Sequence, residues 1–330
     1  MASSDRDPEP DRRLRQRRAS RERRRRAVRA QRAGAVLLAV AVAAVAVAVA
    51  VLLVSAGSSH GGGRARAAGV RISPRAPATA KRAARRRAAA RAAALQNAGQ
   101  TPPLRRLIAM GRPIYCAGRR GREVALTFDD GPGPYTRLVV RKLREHHMAA
   151  TFFIVGRNIP LVPGVTRAER ALGDVGDHTF THPLLTALAP SEAEAEIVHT
   201  KHALEAASRG PVILFRPPYG GFNPTIDRIA RQHGLAEILW TVDSADSLGA
   251  NYAGIEHNVI TGLHPGAIIL MHENRGQTVR ALPAIFAAIR RRGLRPVSVP
   301  RLLTDDPPSA RQLREGGAGC GVSHSVGSGG

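Results

Sequence analysis

EVALTFDDGP, residues 123–132, is an apolar run that stops at two carboxylates, a glycine and a proline. Val124–Phe128 carries β-branched and aromatic side chains with no polar alternation beyond Thr127, which predicts a strand buried on both faces. Outward from it, Thr136–His147 has the spacing of an amphipathic helix and Ala150–Val155 reads as a second buried strand. Ser191–Ser208 reads as a helix opened by a capping box of Ser191 and Glu194, and Val212–Phe215 as a strand. Pro224–His233 is predicted helical up to Gly234, followed by a strand at Ile238–Val242 and a weaker helix near Ile255–Gly262. A strand at Ala267–Met271, a helix over Val279–Arg292 and a short strand at Pro296–Val299 complete the series. Strands alternating with helices predict a parallel α/β architecture, and about seven repeats suit a barrel smaller than the eightfold one.

The formal net charge of +25 over 330 residues is unevenly placed. Residues 1–32 hold a net +8, residues 57–122 a net +16 with no acidic residue, and residues 123–330 only +1. The basic surface expected of a nucleic-acid binder is therefore missing from the part that looks globular, and no specific nucleic-acid partner is expected. Ala33–Ala56 has no charged residue and is long enough to cross a hydrocarbon core about 30 Å thick. Behind the Arg23–Arg26 cluster it is predicted to be a single-pass anchor in the plasma membrane, with the N-terminus cytoplasmic and the remainder extracellular. The alternative is a signal peptide cleaved after the small residues Val54-Ser55-Ala56, which would release a secreted protein.

The expected plan is thus a cytoplasmic basic tail (1–32), a transmembrane anchor (33–56), a disordered basic linker (57–120), a folded domain (121–304) and a flexible Gly/Ser-rich tail (305–330). The linker's charge suits anionic wall polymers or lipid headgroups. Cys116 and Cys320 would tie the entry segment to the tail if bridged; two unpaired thiols is the other reading.

Polar clusters fall at the predicted strand ends, where α/β barrels gather their reactive groups. Of Asp129 and Asp130, one carboxylate can hold a metal while the other stays free as a base; an ordinary acidic turn is the plainer alternative. His178 and His182, four apart, would share one face of a helical turn and could grip one ion. His199 and His202 lie on a charge-rich segment and read as a solvated helix face. In Arg216-Pro217-Pro218-Tyr219-Gly220, two prolines stiffen the turn and remove donors, leaving the Tyr219 and Gly220 amides conspicuous. Asp243 and Asp246 follow the strand that holds Trp240, and His272 closes the strand that holds Leu270.

TFDDGP, HTFTH, RPPYG, DSAD and IILMH occur in that order. With them the region from about Glu123 to Leu303 resembles the polysaccharide deacetylases of carbohydrate esterase family four, the NodB-homology domain. The resemblance implies a deformed (β/α) barrel and a metal held by Asp130, His178 and His182, with Zn²⁺ the best fit and Co²⁺ or Ni²⁺ as substitutes. It implies Asp129 as general base paired with Arg216, the Tyr219 amide as oxyanion donor, and His272 as general acid oriented by Asp246. Leu270 would line the acetyl pocket, with Pro217, Pro218 and Trp240 as further substrate contacts. The implied reaction is metal-dependent removal of N-acetyl groups from a cell-wall polysaccharide, best matched by the N-acetylglucosamine or N-acetylmuramic acid of peptidoglycan. An O-acetyl esterase acting on a xylan-type polymer and a non-catalytic surface protein binding anionic polymers are the alternatives; intact Asp129 and His272 count against the second. Two departures bear on substrate preference. Ser247 stands where the family usually has Trp, and Asp174-Val175-Gly176-Asp177 where it commonly has Glu, an aliphatic residue, Gly and Asn.

Overall fold

β1, Glu123–Gly131, runs through the core of the computed structural model, which describes residues 99–321; every residue of the strand but Asp130 is buried. Before it lies α1, Pro102–Met110. After it come α2 (Thr136–Glu145), β2 (Ala150–Ile154), α3 (Val165–Arg170), β3 (Gly173–Asp177), α4 (Pro190–Ser208), β4 (Leu214–Phe215), α5 (Pro224–Gln232) and β5 (Ala236–Glu237). The remaining elements are β6 (Val242–Asp243), α6 (Tyr252–Gly262), β7 (Ile268–His272), α7 (Gly276–Arg291), β8 (Arg295–Pro296), α8 (Val299–Asp305), α9 (Ala310–Glu315) and α10 (Gly317–Cys320).

All strand pairings are parallel, in the order β5-β4-β3-β2-β1-β7-β6, and β8 pairs with the first residues of β1. Strand periodicity sends alternate side chains to opposite faces. Val124, Leu126 and Phe128 join Phe152, Ile154, Ile269 and Met271 in the core beneath the helices. Ala125, Phe153, Ile268 and Leu270 join a second core with Leu104, Leu107 and Ile108 of α1 and Val299, Leu302 and Leu303 of α8. The curled sheet therefore has two buried faces, as expected of a deformed (β/α) barrel. The inner-facing register at the C-terminal ends of β1 and β7 is what brings Asp129 opposite His272.

Several boundaries differ from the sequence reading. Residues 99–120, expected in the disordered linker, are folded: Leu104, Leu107 and Ile108 recur on one face of α1 and are buried, and Ile114 bridges to Ile238. The domain thus starts well before residue 121. The segment 305–321, expected to be a flexible tail, contains α9 and α10 and is held by a Cys116–Cys320 disulfide spanning 204 residues. Asp306, 5 % exposed, also accepts hydrogen bonds from the Arg120 amide at 2.7 Å and its Nε at 2.8 Å.

The sequence reading missed β3 because GDVGD offers one apolar residue in five, yet the strand sits between β2 and β4. It also extended one strand over Ile238–Val242, where the chain makes two short strands, β5 and β6, with irregular backbone between. α4 opens one residue early, with Pro190 in its first turn and the Glu192 carboxylate accepting from the Ala189 amide at 3.1 Å. Glu194, read as the capping partner of Ser191, instead pairs with His233 at 2.7 Å. Among the described residues no helix is long and apolar enough to cross a membrane; the predicted tail at 1–32, the anchor at 33–56 and linker residues 57–98 lie outside them.

Candidate active site

The strand ends open into a cleft of ≈ 640 Å³ lined by the ends of β1 and β7 and by the loops after β3, β4 and β6. At the end of β1, Asp129 keeps extended register and is buried, while Asp130 turns to φ 70°, which separates the directions of two adjacent carboxylates. His178 and His182 do not lie on a helical turn. They occupy an irregular loop after β3, with Thr179 and His182 both at φ 65°. The buried Asp177 carboxylate accepts the Thr179 amide at 2.8 Å, and Thr179 Oγ1 accepts the His182 amide at 3.1 Å. These two bonds curl the loop so that the imidazole centroids stand 4.8 Å apart. Burial raises the Asp177 carboxyl well above its ordinary range, opposed by the Thr179 amide and Lys201.

His182 Nε2 lies 3.3 Å and His178 Nε2 3.7 Å from Asp130 Oδ1, and one ligand atom from each of the three residues falls within 4.8 Å of the others. His178 Nδ1 is 2.7 Å from the Arg216 carbonyl. A carbonyl only accepts, so Nδ1 carries the proton and Nε2 presents its lone pair to the cluster. Burial, followed by proximity to His178, lowers the His182 pKa and favours its neutral, ligating form. Burial works to raise the Asp130 carboxyl, but His178, His272, His182 and the Asn274 amide outweigh it and hold it below its ordinary range. Two imidazoles and one carboxylate converging on one point are a donor set that fits a divalent cation.

Arg216 is wholly buried behind Asp129. Its Nη1 donates to Asp129 Oδ1 at 2.7 Å and to Thr127 Oγ1 at 2.8 Å, and its Nε to the Ile238 carbonyl at 3.1 Å. The guanidinium also lies over the Phe153 ring, 4.1 Å from its centroid. The buried charge is thus paired, hydrogen-bonded and stacked, as a stable buried cation requires.

Across the cleft, His272 Nδ1 donates to Asp246 Oδ1 at 2.6 Å, and Asp246 Oδ2 accepts the His272 amide at 2.8 Å and Thr278 Oγ1 at 2.5 Å. Burial works to lower the His272 pKa, but the bond and charge of Asp246, with Asp129 and Asp130, raise it to about 9.

Pro217, Tyr219, Trp240 and Leu270 line the cleft; Pro218, in the first turn after β4, is buried and is not among the lining residues. Tyr219 sits at φ 61°, 66 % exposed, its ring 4.9 Å from that of His182. His199 and His202 are exposed, and His199 stacks on Phe180 outside the cleft. Sequence reasoning missed Asn274, whose amide donates to Asp130 Oδ2 at 3.0 Å, as well as Thr278 and Thr127. It also left Arg275 and Leu248, both lining the cleft, without a role. Thr127 heads the TFDDGP run but was given no role there; the other four lie outside the quoted motifs, and only their proximity to the strand ends marks them.

A family model described as polysaccharide deacetylase matches residues 117–238. A chitooligosaccharide deacetylase of Bradyrhizobium sp. is 34 % identical over 200 residues, covering 55 % of this chain and 90 % of the relative. A peptidoglycan-N-acetylglucosamine deacetylase of Bacillus cereus is 33 % identical over 186 residues, 54 % of this chain and 68 % of that one. Among solved structures, a peptidoglycan N-acetylglucosamine deacetylase superposes with a TM-score of 0.55 at 31 % identity, covering 58 % of this chain and 92 % of that one. A CE4 family pseudoenzyme from Bacillus anthracis superposes at 0.56 with 28 % identity, covering 61 % and 71 %. The chain belongs to the polysaccharide deacetylase family, as a hydrolase of carbon–nitrogen amide bonds.

Proposed function

We propose that the protein is a metal-dependent N-deacetylase of a cell-wall polysaccharide, with peptidoglycan as the preferred polymer. A pseudoenzyme shares this fold, so the fold alone does not carry the reading. The observation that carries it is one cleft holding a paired carboxylate–guanidinium, a three-residue metal-type cluster and a carboxylate-oriented histidine.

Asp130, His178 and His182 would hold the cation, with Zn²⁺ the best match to the donors and Co²⁺ or Ni²⁺ as substitutes. When bound, it supplies Lewis acidity and eases deprotonation of water. Asp129 accepts the proton of the attacking water, and Arg216, donating to its Oδ1 at 2.7 Å, holds the carboxylate in place. The new C–O bond places negative charge on the acetyl oxygen, which the Tyr219 amide stabilises from its left-handed turn. His272 delivers its Nε2 proton to the nitrogen as the C–N bond breaks, leaving acetate and a free amine; Asp246 fixes the ring and favours its protonated form. Leu270, with Trp240 beside it, offers an apolar wall for the acetyl methyl.

The anchor reading of Ala33–Ala56, with the catalytic domain outside the cell, is part of this proposal. The Cys116–Cys320 bridge supports export, since disulfides persist in oxidising compartments. The test is acetate release by the full-length chain from chitooligosaccharide, peptidoglycan strands and acetylated xylan, before and after chelation. We expect acetate from the N-acetylated polymers, loss on chelation and recovery with Zn²⁺ or Co²⁺. Undiminished release by metal-free protein, or release from xylan alone, would overturn the proposal.

A further inference from the structure

The loop from β7 to α7 carries a charged group that the reaction leaves unused. His272 is followed by Glu273, Asn274 and Arg275, and α7 begins at Gly276. This loop is tied to the site by one backbone and two side-chain hydrogen bonds. The Glu273 amide donates to the Asp129 carbonyl at 3.2 Å, the Asn274 side-chain amide to Asp130 Oδ2 at 3.0 Å, and Thr278 Oγ1 to Asp246 Oδ2 at 2.5 Å. Arg275 stands inside that anchored run, exposed, and lines the catalytic cleft. Among the described residues no carboxylate lies within ion-pair distance of its guanidinium. The cleft's other charged rim group, Asp243, is engaged by its own turn, accepting the Ala245 amide at 2.7 Å. An exposed guanidinium that lines the cleft and has no carboxylate partner among the described residues is available to meet an anion supplied by the substrate.

We propose that Arg275 is a specificity-determining residue that binds a carboxylate on the polymer near the acetamido group being hydrolysed. The inference rests on the deacetylase reading and deepens it. Chitooligosaccharide, named for one relative, bears no carboxylate; peptidoglycan, named for the other, bears them on its stem peptides, or on its lactyl groups where the peptide has been removed. Arg275 makes the site one for the acidic polymer. A planar guanidinium takes a carboxylate through two parallel hydrogen bonds, a geometry that the neutral polymer cannot use.

Three substrates separate the sources of the anion: neutral chitooligosaccharide, glycan strands stripped of peptide so that the lactyl carboxylates are free, and strands that keep their stem peptides. With the full-length, metal-loaded chain, we expect wild type to prefer at least one acidic substrate. In Arg275→Gln the ratio of kcat/KM on that substrate to kcat/KM on chitooligosaccharide should fall about tenfold, mostly through KM. Arg275→Lys should retain part of the preference, and added salt should erode the wild-type ratio but not that of Arg275→Gln. A loss confined to stripped strands assigns the lactyl carboxylate, and a loss confined to peptide-bearing strands assigns the peptide. If wild type hydrolyses chitooligosaccharide but shows no acidic preference, or keeps it in Arg275→Gln, this inference is wrong while the deacetylase reading stands. If no substrate yields acetate, both fall.

Discussion

Asp129 and Asp130 are both aspartates at adjacent positions, yet Asp129 Oδ1 meets Arg216 at 2.7 Å and only its Oδ2 nears an imidazole, His178 at 3.7 Å, whereas Asp130 Oδ1 faces both imidazoles. The backbone turn at Asp130 creates that division, and it makes the two substitutions distinguishable. Asp129→Asn should lower kcat on an N-acetylated glycan about 10³-fold, as loss of a general base does, while metal content by elemental analysis stays stoichiometric. Asp130→Asn should lose the metal itself. His272 and Asp246 yield a prediction in pH. The His272 pKa is raised to about 9, chiefly against burial by its bond to Asp246, so its protonated form persists below that value and is lost above it. A nearby divalent cation disfavours the protonated ring, so the alkaline limb of the kcat/KM profile should lie below 9 in the metal-loaded protein. Asp246→Asn should shift that limb about one or more units further down, because the ring loses its anionic partner. An unmoved limb would contradict the role given to the pair. The same linkage acts on folding. His272 contributes stability that is complete below its ordinary value of 6.5 and lost as pH rises through about 9.

At the scale of elements, the cleft depends on how β1 and β7 meet. Past Asp129, β1 makes room for the Glu273 side chain: a Cβ added at Gly131 would come within 1.4 Å of Glu273 Oε1. The glycine in TFDDGP is therefore required by packing and not only by the turn. Gly131→Ala should destabilise the fold by roughly 1–3 kcal/mol, read as a lowered denaturation midpoint, since a well-packed interior has no room to absorb the methyl. Wild-type stability in that variant would mean that Glu273 can leave its buried position freely. The alternation of strands and helices was legible because buried parallel strands are apolar runs and amphipathic helices keep their period. β3 was not, because its two glycines and two aspartates suit close packing and hydrogen bonding that become visible only with β2 and β4 beside it. The histidine pair was found, but on the wrong scaffold. Spacing of four suggests a helix, whereas Asp177 and Thr179 curl a loop to the same effect.

For the molecule as a whole, the Cys116–Cys320 bridge joins segments 204 residues apart and holds α9 and α10 against the entry to β1. Cys116→Ser with Cys320→Ser, or reduction, should cost about 2–5 kcal/mol of unfolding free energy in denaturant titration. Because both cysteines lie away from the cleft, acetate release below the new midpoint should persist; a loss of activity without unfolding would tie the bridge to the site. The α/β class was legible in the sequence by itself, and the five short motifs carried the family resemblance, which in turn pointed to Asp129, Asp130, His178, His182, Arg216, Asp246 and His272 as site residues. Only the tertiary structure decided that the folded domain begins before residue 121 and extends past 304, that Pro218 lies outside the cleft lining, and that Asn274, Thr278 and Arg275 stand at the site. The physical reason is separation along the chain. Arg216 meets Asp129 across 87 residues and Asn274 meets Asp130 across 144, and contacts of that span are set by the register and curl of the sheet, which no local run of side chains encodes.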